Sequence, residues 1–115
     1  MNPSLYVVSL YAQDIPAVAH FYRDVIGLPL VAHHSQRPHF DLGGAYLVIL
    51  QGQPPQAQER FPQVAISVDD LDAAVARLRA HRVELPWGVE TGQGSRWVMF
   101  RDPGGNLVEL VQPGG

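Results

Sequence analysis

The 115-residue chain contains no cysteine. That excludes disulfides, thiolate nucleophiles and cysteine-ligated zinc or iron–sulfur centres, so a metal would need His, Asp or Glu. It also lacks any run approaching the roughly twenty apolar residues that cross a bilayer, and it lacks the basic start and apolar stretch of a signal peptide. Eight Lys and Arg stand against eleven Asp and Glu, for a formal net charge of -3. No basic stripe follows from that balance, so nothing is available to track a phosphate backbone. The expectation is a cytoplasmic protein with neither nucleic acid nor a membrane as partner.

What is present is a duplication. Leu10 to Leu30, laid over Ile66 to Pro86, puts Asp14 on Asp70, Ile15 on Leu71 and Tyr22 on Leu78. Gly43 to Gln51 (GGAYLVILQ) matches Gly104 to Gln112 (GGNLVELVQ) in the same way. Such self-similarity means one structural unit used twice. With hydrophobic residues at 46%, the chain suits a single domain over 1–115. Module one is expected over about 4–51, a linker over about 52–60 and module two over about 61–112.

Asp14 and Asp70 have the side chain and the position of helix N-caps. After Asp14, residues Ile15, Val18, Ala19, Tyr22, Val25 and Ile26 form an apolar stripe that Gly27 ends. After Asp70, Leu71, Ala74, Val75 and Leu78 form a second stripe ending near His81. Strands are predicted at Leu5 to Tyr11, Tyr46 to Leu50, Phe61 to Val68, Arg96 to Arg101 and Leu107 to Val111, with DPGGN at 102–106 as a hairpin turn. The Gly pairs at 43–44 and 104–105 have no helix after them, so they are turns rather than phosphate loops.

DIPAVAHFYRDVIGLPL at 14–30 resembles the D-x-x-x-x-x-x-F-Y-x-x-x-L-G-h pattern of the vicinal oxygen chelate superfamily, and FRDPGGNLVELVQ at 100–112 resembles its closing strands. That superfamily includes glyoxalase I, extradiol dioxygenases, fosfomycin-resistance enzymes and bleomycin-resistance proteins. The resemblance covers nearly the whole chain. It implies an α+β fold in which two βαβββ modules form a cup-shaped, half-open mixed sheet with helices outside, often completed across a homodimer. It also implies four inward metal-ligand positions, which fall on Val7, Val48, Gln63 and Glu109. Valine has no donor atom, an amide oxygen is weak, and one carboxylate cannot hold a first-row metal alone. The expectation is therefore no metal and no cofactor.

Strand alternation extends this set. With Val7 and Gln63 inward, Ser9, Tyr11 and Phe61 join them, while Tyr6, Val8 and Leu10 turn to the helices. Val48 brings Tyr46 and Leu50. The hairpin sets Met99 opposite Glu109 and Trp97 opposite Val111, with Arg101 on the same side. Phe40 is added to the expected ligand-binding residues, and the resemblance to bleomycin-resistance proteins, which carry aromatic residues at the pocket rim, implies Trp87 there. His33, His34 and His39 invite a metal reading, but neighbours on a strand face opposite ways and His39 lies past an expected turn at Pro38. An apolar, aromatic cup with few polar groups is the make-up of a ligand pocket. The first expectation is a metal-free protein that sequesters a hydrophobic aromatic antibiotic. Two alternatives stay open: an enzyme using Glu109 as general base, with Arg101, Gln63 or Tyr11 steadying an anion, or a metalloenzyme with displaced ligands such as His34 or His39.

Overall fold

Two aspartates start the two helices. The Asp14 carboxylate accepts a hydrogen bond from the Ala17 amide at 3.2 Å, and that of Asp70 from the Ala73 amide at 3.0 Å. Each satisfies a donor that the first helical turn leaves unpaired. The computed structural model describes residues 2–34, 37–54 and 60–114, with the backbone alone at 32–34. Helix α1 spans Ile15–His20 and α2 spans Leu71–Ala80.

The apolar stripe predicts one regular helix as far as Gly27, but α1 passes into a π-helical segment at Phe21–Ile26. The wider turn buries two adjacent aromatics. Phe21 packs on Phe100 with ring centroids 5.9 Å apart, and Tyr22 packs on Phe40 at 6.1 Å. Gly27 then closes the segment at φ 89°, a left-handed conformation that suits glycine.

The first module contributes β1 (Val7–Ala12), β2 (Leu30–His34), β3 (Arg37–Asp41) and β4 (Tyr46–Gln51). The second contributes β5 (Val64–Ser67), β6 (Glu90–Gly92), β7 (Ser95–Arg101) and β8 (Leu107–Gln112). The sheets have the matching orders β1-β4-β3-β2 and β5-β8-β7-β6. In each the outer pair, β1 with β4 and β5 with β8, is parallel and the others antiparallel. This is the duplicated α+β plan that the sequence implies.

Local departures have physical reasons. Pro38 makes no turn: it is buried within β3, opposite His33 of β2. Pairing with β4 covers only His39 to Asp41, so no bond to β4 is lost at the missing proline N–H. Phe61 precedes β5 and is 70% exposed. Tyr6 precedes β1, so strand alternation does not govern it; it is 73% exposed rather than turned to the helices. Much of the expected linker, residues 55–59, lies outside the described residues.

The helix-facing sides of both sheets carry Leu10, Leu47, Ile49, Ile66, Val98, Phe100, Val108 and Leu110, all buried in one continuous core. Polar groups fasten the modules. Asn106, fully buried, donates to the Tyr11 carbonyl at 2.8 Å and accepts from the Tyr11 amide at 3.0 Å. The Tyr22 hydroxyl donates to Asp102 at 2.7 Å. Burial foremost, with the Asp102 carboxylate beside it, pushes that hydroxyl well above the ordinary tyrosine range, so it remains a donor.

Candidate functional site

The face of the first sheet away from the core is concave and open. Val7 pairs with Tyr46 and Ser9 with Val48 across the parallel β1–β4 ladder, and His39 faces Val48 from β3. Cross-strand partners share a face, so these side chains stand in adjoining rows. With Tyr6, Val31, Arg37 and Leu50 they line a groove of about 510 Å³. Tyr46 is its centre. The Tyr6 ring meets it edge to face at 6.1 Å and 80°, and the His39 ring at 6.1 Å and 74°. The His39 Nδ1 also lies 2.8 Å from the Arg37 carbonyl oxygen.

Of the expected ligand-binding residues, the structure gathers Val7, Ser9, Tyr46 and Val48 here. Tyr11 lies on the same strand face but is not part of this lining; it sits against Gly52. Phe40 is fully buried against Tyr22, on the core side of β3, and offers no surface to a ligand. The side chains of His33 and His34 lie outside the described residues.

The second module presents its own open face. Trp97 stands opposite Val111 and Met99 opposite Glu109, the register that the hairpin implies. The Trp97 ring crosses Gly92, where an added Cβ would come within 2.9 Å of it. Glu109 is half-buried between Met99 and Ala65, and desolvation raises its carboxyl above the usual range. Arg101 does not pair with it: the guanidinium donates to the Gly105 carbonyl at 3.1 Å. Among the described residues, the lining of the first-sheet groove comes from the first module alone.

Trp87 and Arg101 occupy a different cleft, of about 680 Å³, between the first helix, the segment after α2 and the β7–β8 hairpin. Arg60 stacks over Trp87 at 5.0 Å and pairs with Glu90 of β6, which faces Trp97 across the ladder. Sequence reasoning missed Tyr6, Val31, Arg37 and Glu90 as site residues. The alternation of Arg37, His39 and Asp41 with Pro38 and Phe40 carries the signal for β3, but Pro38 hides it. Three-residue β6 has none.

The four family ligand positions do not fit a metal. Val7 and Val48 bring only carbon. Gln63 has both ends of its amide engaged: it donates to Asn106 at 3.1 Å and accepts from the Leu107 amide at 3.2 Å. Among the described residues, no three of His, Asp and Glu converge on a point. Glu109 alone remains, and one carboxylate does not compete with water for such an ion.

Paired βαβββ modules with one face of each sheet left open define the structural class. The chain belongs to the Glyoxalase/Bleomycin resistance protein/Dioxygenase superfamily, whose family description matches residues 4–110. It is 31% identical over 119 residues to Uncharacterized protein YaeR of Escherichia coli (strain K12), covering 91% of this chain and 92% of that one. In structure it is similar to TnmS3, an antibiotic binding protein from Streptomyces sp. CB03234, with a TM-score of 0.81, 24% identity and 97% of both chains covered. It is also similar to lactoylglutathione lyase from Agrobacterium tumefaciens, with a TM-score of 0.75, 25% identity, and 97% of this chain and 95% of that chain covered. Among the described residues, no helix is long and apolar enough to cross a membrane.

Proposed function

We propose that this protein is a metal-free, cytoplasmic small-molecule binder that protects by sequestering a hydrophobic aromatic antibiotic against the groove of the first sheet. The observation that carries the reading is the replacement of metal donors by Val7 and Val48 on a floor beside the Tyr6, Tyr46 and His39 rings. Such a floor offers apolar area and edge-to-face partners for a flat ring. The fold likeness to an antibiotic binding protein is compatible with this role.

Magnitudes decide whether one chain suffices. An open wall covers half of an aromatic group, roughly 100 Å², which gives about 2.5 kcal/mol at about 25 cal/mol per Å². Association costs about 4 kcal/mol or more. One wall is therefore too little, and a second is required. Half-buried Trp97 and Glu109, on the open face of module two, make that wall when a second copy pairs with the first, with Phe61, exposed ahead of β5, as an added contact; Met99 is buried and adds little surface. The proposed unit is a homodimer with two equivalent cups.

The test is titration of Trp97 fluorescence in a Trp87→Phe background, which leaves Trp97 the single tryptophan, with a panel of aromatic natural products, followed by mass spectrometry of the recovered compound. Saturable quenching, unchanged compound and about tenfold weaker binding by Tyr46→Ala are expected. No saturable quenching by any member, or a Tyr46→Ala variant that binds as tightly, overturns the reading. A second reading rests on Glu109, whose desolvated carboxyl suits a general base. A chemically altered compound, with turnover lost in Glu109→Gln, would select it.

A further inference from the structure

We propose that the groove selects aromatic ligands that carry a negative charge, recognised by Arg37; this rests on the groove being the ligand site. Arg37 lies on β3 two residues from His39, on the same alternating face, at the edge of the Tyr46 floor. Elsewhere in the chain, Arg23, Arg60 and Arg96 are engaged by Asp24, Glu90 and Asp72. Arg77 and Arg101 donate to the carbonyls of Asp24 and Gly105, while Arg79, on α2, and Arg82, in the other cleft, lie outside this groove. Among the described residues that line the groove there is no carboxylate, and Arg37 brings the one permanent charge. Asp41, the cross-strand partner of Tyr46, is the nearest carboxylate on this face; it is not part of the lining, and one of its oxygens accepts from the Gly43 amide at 3.1 Å.

A ligand lying on Tyr46 would cover the guanidinium and strip water from it. An uncharged ring leaves that cost unrepaid, a cationic ring adds repulsion, and an aryl carboxylate, sulfonate or phenolate answers it with charge-assisted hydrogen bonds. The planar fork of arginine suits oxyanions in particular. The chain as a whole, at -3, does not attract anions at long range, so the preference is local to this groove. Glu109 on the opposing wall is the group that would resist an anion. Its desolvated setting raises that carboxyl above the usual range, which lessens the resistance without removing it, so the preference rests on Arg37.

Two fluorescent probes of matched shape test this on the intact protein: anilinonaphthalene sulfonate and its uncharged parent, phenylnaphthylamine. The sulfonate is expected to bind about tenfold more tightly. Arg37→Gln should remove that advantage, read as the ratio of the two affinities, and Arg37→Lys should retain part of it. An unchanged ratio of the two affinities in Arg37→Gln overturns the charge preference. Tyr46→Ala separates the two levels. If it weakens both dyes while Arg37→Gln leaves the ratio untouched, the groove stands and the charge preference falls. If it affects neither dye, the groove is not the binding site and both proposals fall.

Discussion

Glu109 sits between Met99 and Ala65 with no cation beside it among the described residues, and its titration reports that setting. Desolvation disfavours the charged form and lifts the folded-state pKa above the unfolded one. Its contribution to stability is then complete below the unfolded value of about 4 and is lost as pH rises through the higher folded value. Glu109→Gln removes the linkage, so its melting temperature should gain on the parent chain between about pH 4 and neutrality. Thermal melts over that range check this, and parallel curves would refute it. The inward position of Glu109 is legible in the sequence, because the repeat sets it over Val48 and the hairpin fixes Met99 opposite. The duty of Gln63 is not legible: an amide at a ligand position looks the same on paper whether it faces a metal or, as here, a neighbouring hairpin.

At the scale of elements, the two Gly-Gly turns look alike in sequence and differ in surroundings. A Cβ at Gly43 would meet nothing within 4 Å, although φ is +69° there. At Gly104 it would sit 2.6 Å from the Tyr11 carbonyl oxygen, because the 102–106 hairpin is pressed onto β1. Gly43→Ala should therefore cost about 1 kcal/mol for the strained backbone, and Gly104→Ala about 2 to 3 kcal/mol as the seam is forced apart. Urea unfolding measures both, and equal costs would show that the hairpin is not held as described. Helices and long strands were readable because periodicity and caps are local. Strand β3 was masked by a proline tolerated where the β4 ladder does not reach, β6 is too short to carry a period, and the π-helical turn depends on Phe100 and Phe40, which are distant in sequence.

At the scale of the whole molecule, the duplicated plan was visible in the letters, but the placement of the open faces was not. Alternation says which residues share a side of a sheet; it does not say which sheets face each other. The proposed pairing of module one with module two of another copy predicts a dimer by sedimentation, and Phe61→Asp should shift the population to monomer and weaken aromatic ligands at least tenfold. A variant that stays dimeric with full affinity would remove Phe61 from the second wall.

The double engagement of Gln63 constrains what can be made from this scaffold. Grafting a metal centre onto the four inward positions means donors at Val7 and Val48, and also a new side chain at 63. That last edit frees the Leu107 amide and disturbs Asn106, whose side chain holds β1, at about 1 to 3 kcal/mol. Stepwise mutation toward a metalloenzyme thus crosses a stability valley, and a designer would have to rebuild the seam before installing the chemistry.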